Sequence, residues 1–184
     1  MARVRLNETS DLPEEHRWLF ERLERHDGDV INIFRALSHS PVALRRFIKL
    51  GSYFLEEGKL DPKLRELAIL RVGRACGAPY EVAQHIALAR RAGLTDAQVR
   101  GVEAPHVGLY DARQLAVLAY AGELTAQARA SDAAYGAVAS FLNAEELVEL
   151  TLVIGYYNMV ARALNALEVD IDTQARRDLE AMGG

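Results

Sequence analysis

Two stretches decide the fold: Leu64-Arg-Glu-Leu-Ala-Ile-Leu70 and Gly77-Ala-Pro-Tyr-Glu-Val-Ala-Gln-His85. The first follows Asp61-Pro62, an N-cap residue with proline at the first helical position. Leu64, Leu67, Ile69, Leu70 and Val72 predict a helix ending near Gly77. In the second, Pro79 opens a helix from Tyr80 to about Ala92, and Gly93 closes it as a left-handed residue would. Two adjacent helices with a short connection predict a helical hairpin. Glu66 sits with Ile69, Leu70 and Gly73 on the stripe expected to face the core. Burying that carboxylate without a partner costs several kcal/mol or raises its pKa. Glu81 and His85 are four residues apart and share a helix face, where a carboxylate favours the protonated ring. By spacing alone such a pair is most often a solvated surface pair.

The same punctuation continues outward, and strand alternation is nearly absent. Trp18, Leu19, Phe20 and Leu23 have helical spacing after Pro13. Residues 30–37 form a run too short to assign alone. Ser40-Pro41 starts a helix carrying Leu44, Phe47 and Ile48. Thr95 with Gln98 and Asn143 with Glu146 are capping boxes. Residues 104–110 read as a loop, Asp111 starts a long helix to about Ala130, and Asp132 caps one ending near Leu142. The most apolar helix spans Ala144 to about Leu167, with Tyr156, Tyr157 and Asn158 inside it. The tail beyond Asp172 is charged and expected to be peripheral. These elements predict one all-α domain over residues 1–184. Leu64–Leu70 is weakly echoed by Ala112–Leu118, without a second acidic-histidine cluster.

Composition narrows the function. Half the residues are hydrophobic and the net charge is -4, which gives no electrostatic reason for nucleic-acid binding. No signal peptide or membrane span is evident, so the cytoplasm is the expected compartment. A lone cysteine, Cys76, excludes an internal dithiol, and it reads as inert packing with no cationic neighbour beyond Arg74. His16, His26, His39 and His106 are expected on the surface or in loops. None has metal-ligand spacing, so no metal is expected. Gly73, Gly77 and Gly93 read as packing and capping glycines rather than a phosphate loop, and no cofactor is expected.

The segments Arg65 to Leu70, Gly77 to His85 and Ala89 to Thr95 resemble the core of the carboxymuconolactone decarboxylase/alkylhydroperoxidase D-like superfamily. The resemblance extends over roughly residues 30–170, including Leu150 to Asn165. The peroxidase branch pairs a glutamate with Cys-x-Tyr-Cys-x-x-x-His, the glutamate nineteen positions before the histidine. Glu66 and His85 keep that separation and Tyr80 matches the tyrosine, but Ala78 and Glu81 occupy the cysteine positions. The decarboxylase branch carries a glutamate four positions before its histidine, as Glu81 does here. The chain therefore has proton-handling groups of both branches and the dithiol of neither.

The resemblance implies an alkylhydroperoxidase D-like helical bundle, assembled as a homo-oligomer, with trimers and hexamers common. It implies cofactor-independent acid-base chemistry on a small carboxylated or lactone-type organic acid, decarboxylation first. His85 would donate the proton, Glu81 orient the ring, Tyr80 hydrogen-bond the intermediate, and Glu66 tune or relay protons. Arg65 or Arg71 could bind a substrate carboxylate, but each is expected on the helix surface. A peroxidase would need a second thiol beyond Cys76. A non-catalytic ligand-binding protein is the remaining alternative.

Overall fold

The computed structural model describes residues 2–183, without the side chains of His26 and Asp27; the surface expectation for His26 therefore lies outside the described residues. Among the described residues the secondary structure is helical throughout, with no strand. The α-helices are α1 (Trp18–Asp27), α2 (Asn32–Leu37), α3 (Pro41–Ser52), α4 (Pro62–Ala75) and α5 (Pro79–Arg91). They continue with α6 (Asp96–Gly101), α7 (Ala112–Gln127), α8 (Asp132–Ala139), α9 (Ala144–Leu167) and α10 (Thr173–Ala181).

Local chemistry sets most boundaries. Asp61 accepts from the amides of Lys63 and Leu64, and Pro62 needs no acceptor, so α4 starts there. Capping boxes at Thr95–Gln98 and Asn143–Glu146 open α6 and α9, and Asp111–Gln114 opens α7 the same way. Ser131, rather than Asp132, caps α8: its hydroxyl accepts from the amide of Ala134. That helix stops at Ala139, short of the expected Leu142, and α7 stops at Gln127, where Ala128 turns left-handed with φ of 55°.

Helix α4 is the centre of the molecule and packs on α5, α7 and α9. Every residue from Leu64 to Leu70 is buried, so the helix has no solvent face. A helix covered all round buries its polar residues with its apolar ones. Arg65 is thus interior, not on the expected surface. Leu67, Ile69 and Leu70 are fully buried, each contributing about 1.5–3 kcal/mol of hydrophobic stabilisation. α9 lays Leu150, Val153, Ile154, Val160 and Leu164 onto the core. By length and composition α9 could cross a membrane, but half of its apolar stretch is buried against the rest of the chain, the environment of a core helix.

α4 and α5 are joined by Cys76-Gly77-Ala78, where Gly77 supplies φ of 58° for the reversal. Their contacts run in opposite order. Glu66 meets His85, while a Cβ built on Gly73 would lie 3.1 Å from the Val82 side chain and one on Gly93 3.4 Å from Lys63. The hairpin is antiparallel, as the sequence predicts, and Gly73 gives the close approach near its turn.

The tail is not peripheral. Asp172 accepts from Tyr80 Oη (2.5 Å), Gln84 Nε2 (2.6 Å) and the amide of Asn32 (2.9 Å), and α10 packs along α5. Asp172 and Tyr80, which accepts from the Ile33 amide at 3.1 Å, together satisfy the first two amides of α2. We expect Asp172→Ala to cost about 1.5–3 kcal/mol, the range for hydrogen bonds to a charged group. Amide exchange at Asn32 and along α10 should accelerate; unchanged protection there would refute the contact's importance.

Candidate active site

Two neighbouring residues of α4 and two of α5 form one buried line of charge. Arg65 Nε donates to Glu66 Oε1 at 3.1 Å, and Glu66 Oε2 lies 2.7 Å from His85 Nδ1. On the other side of the ring, His85 Nε2 forms an ion pair with Glu81 Oε1 at 3.1 Å. Arg65 is further held by the carbonyls of Phe54 and Leu55. Glu66 is fully buried, and Arg65, Glu81 and His85 are nearly so. Signs alternate along the line, positive, negative, positive, negative, once the imidazole is protonated.

That alternation resolves the cost of burial. Burial alone would push the histidine pKa down, but the carboxylate of Glu66, and then that of Glu81, outweigh it and raise the value to about 9. Burial would likewise raise the Glu66 pKa; His85 and Arg65 overcome this and hold it below the ordinary value. The ring is therefore an imidazolium at neutral pH, with a carboxylate at each nitrogen. Tyr157 of α9 covers it edge-on, with ring centroids 4.9 Å apart and planes at 90°. Burial, then the Glu81 and Glu66 charges, keep the Tyr157 phenol protonated well past its usual range.

Of the four residues singled out in the sequence, Glu66, Glu81 and His85 come together and Tyr80 does not. Its hydroxyl is committed to Asp172 and the Ile33 amide, and burial followed by the Asp172 charge raises its pKa. The reason is helical geometry. Tyr80 precedes Glu81 by one residue, about 100° around the axis, and points toward α2 and the 172 region. Sequence reasoning misses Arg65 as a partner of Glu66 and Tyr157 as the ring's cover. The signal for Arg65 is its place directly beside Glu66, ahead of the apolar run Leu67-Ala-Ile-Leu70; for Tyr157, a position in the middle of the most apolar helix.

Cys76 lies apart from this line. Its Sγ is 3.6 Å from Asn158 Oδ1 and 3.9 Å from Arg162 Nη1, so its cationic neighbour is Arg162 rather than Arg74. Burial raises its pKa despite that arginine. Asn158 also donates to Thr125 Oγ1 and the Ile154 carbonyl, a structural use of a half-buried amide. Among the described residues, no group of three or more His, Cys, Asp or Glu side chains is placed to hold a metal ion.

Residues 41–123, from the start of α3 into α7 and including all four sequence candidates, match the Carboxymuconolactone decarboxylase family. No protein of curated function matches the chain. Solved structures show the same fold. A peroxidase-related protein with an alkylhydroperoxidase AhpD core, from Ralstonia eutropha JMP134, superposes with a TM-score of 0.82 at 20% identity, over 95% of this chain and 94% of that one. A peroxidase-related protein from Silicibacter sp. TM1040 gives 0.83 at 22% identity, over 97% and 95%. A variant of the debrominase Bmp8, in complex with 2,3,4-tribromopyrrole, gives 0.80 at 19% identity, over 99% and 100%. With its matched segment centred on the charged hairpin and its helices in the AhpD arrangement, the chain is similar to the Carboxymuconolactone decarboxylase family over residues 41–123 and has the alkylhydroperoxidase D-like fold.

Proposed function

We propose that the protein is a cofactor-independent acid-base enzyme that decarboxylates a small carboxylated or lactone-type organic acid, with Glu81 as the group that meets the substrate. One observation carries this reading. Both nitrogens of His85 are taken by carboxylates, while Glu81 Oε2 has no hydrogen-bond partner among the described residues. The free end of the line is therefore Glu81 and not the histidine. When the carbon–carboxylate bond of the substrate breaks, the electron pair stays behind as an enolate. Glu81 first takes the Nε2 proton of the imidazolium and, as the carboxylic acid so formed, turns to deliver it to the enolate carbon as carbon dioxide leaves; water then reprotonates His85. Glu66 and Arg65 hold the ring in place and in its charged form. Tyr80 contributes by anchoring the start of α5 to Asp172.

The test is carbon dioxide release from a panel of carboxylated lactones and β-keto acids. Glu81→Gln and His85→Gln should each lower turnover about 10²–10⁴-fold, the range for loss of a general acid. Cys76→Ser should leave it unchanged, since its sulfur lies outside the line. Peroxide consumption that Cys76→Ser abolishes, with no carbon dioxide released by the wild type, would overturn the reading in favour of redox chemistry. Binding of such acids without any turnover would favour a ligand-binding protein.

We also propose that the chain works as a homo-oligomer. Val148, Leu152 and Met159 expose an apolar stripe on the outer face of α9, at 57%, 53% and 49% of their surface. Thr151 and Gly155 lie between them and would let a second helix approach closely. Light scattering should give a multiple of 20.4 kDa. A monomer mass at micromolar concentration would refute this.

A further inference from the structure

On the face of α5 that carries Val82 and Ile86, a cavity of about 200 Å³ opens between α4, α5, α6 and α10. Its floor is apolar: Val82 and Ile86 of α5 and Met182 beyond α10, all buried. Its polar lining is Arg74 at the end of α4, Arg100 at the end of α6 and Glu103 just beyond. Neither arginine has an ion pair or a side-chain hydrogen bond among the described residues. This is unlike Arg65 and Arg90, whose guanidinium groups are engaged by carboxylates, and Arg71, whose Nη1 donates to the carbonyls of Val102 and Glu103 although its Nε is buried without an acceptor. Arg74 Nε is moreover shut off from solvent with no acceptor. A buried donor left unsatisfied calls for an absent partner, and a pair of unengaged guanidinium groups calls for an anion with planar oxygens.

We propose that this cavity is a binding site for a small monocarboxylate with an apolar body, separate from the Glu66–His85–Glu81 line. The carboxylate would sit between Arg74 and Arg100, and the body against Val82, Ile86 and Met182. The volume equals roughly seven waters at ~30 Å³ each, which suits a single ring or a short acyl chain and not a drug-sized molecule. Two positive groups against the one carboxylate of Glu103 favour a ligand of single charge over a dianion. Gly73, directly before Arg74, packs on both Glu81 and Val82, so the two sites lie side by side on α5, lined by consecutive residues.

The probes are benzoate and its neutral counterpart benzamide, titrated into the full chain by calorimetry and followed on the Val82 and Met182 methyl signals by NMR. Benzoate should bind saturably and shift both methyls, and should raise the melting temperature with concentration, as any ligand selective for the folded state does. Benzamide should bind at least ten-fold more weakly. Arg74→Gln and Arg100→Gln should each weaken benzoate at least ten-fold. Arg100 is exposed, so its variant keeps the question answerable even if Arg74→Gln folds poorly. Benzamide binding as well as benzoate, inorganic phosphate displacing benzoate at equal concentration, or Arg100→Gln binding like the wild type would each overturn the proposal. Because binding is read directly, failure here leaves the decarboxylase reading untouched, and the reverse also holds.

Discussion

Glu66→Leu is expected to cost about 3–5 kcal/mol of stability at neutral pH, the range for removing one partner of a buried ion pair. The side chain is fully buried between two cations, and leucine fills the space without replacing the charge. Arg65 would keep the carbonyls of Phe54 and Leu55 but lose its only carboxylate. His85 would keep Glu81 alone against burial, and its pKa should drop. The pH dependence follows from the two displaced pKa values. The Glu66 value is lowered on folding, so its contribution is present above the ordinary 4.5 and lost as pH falls through the lowered value. The histidine value is raised, so its contribution is complete below ~6.5 and lost as pH rises through about 9. The gap between variant and wild type should thus be widest between those limits and close toward both ends. Urea denaturation across pH measures it; a loss below about 1 kcal/mol at pH 7, a size typical of surface ion pairs, would mean the line carries little of the fold's stability.

Glu81→Gln separates charge from shape at the other end. The amide oxygen can still face His85 Nε2, but the negative charge is gone. Glu66 remains, so the histidine pKa should fall only part of the way from about 9 toward the ordinary ~6.5 rather than collapse below it. A lower folded pKa means less proton-linked stability. The variant should be weaker than the wild type at pH 6, by about 1.4 kcal/mol for a tenfold change in the ring's proton affinity. This deficit should vanish above about 9, where the wild-type ring has also lost its proton. NMR titration of His85, assigned through His85→Gln, reads the fall in pKa, and turnover should drop with it. An unmoved histidine pKa would show that the 3.1 Å pair transmits nothing, and the proposed proton path would have no last step.

The helices are largely legible because their boundaries are written in short-range chemistry: Asp61-Pro62, Thr95 with Gln98, and Asn143 with Glu146, each acting within four residues. The Glu66–His85 contact is legible too, since a three-residue turn leaves a hairpin few registers. What cannot be read depends on distance along the chain. Asp172 and Tyr80 are 92 positions apart, and a charged tail gives no sign that one of its carboxylates will cap a helix from the other end of the molecule. Arg65 reads as a surface residue because a single-face view of α4 assigns each charge to solvent. With α5, α7 and α9 all packed on it, the helix has no such face to offer. Glu149 escapes notice for the same reason, although it accepts from Tyr53 Oη and the amides of Lys59 and Leu60 and fixes the approach to α4.

The hairpin from Pro62 to Arg91 contains all four members of the charged line, and each charge is neutralised by another within it. Nothing outside the hairpin needs to supply a counter-charge; α9 contributes only the cover of Tyr157. Such a unit is portable. The surrounding helices can drift in sequence without leaving a stranded ion in the interior. That freedom is what lets one scaffold be inherited by proteins of quite different chemistry.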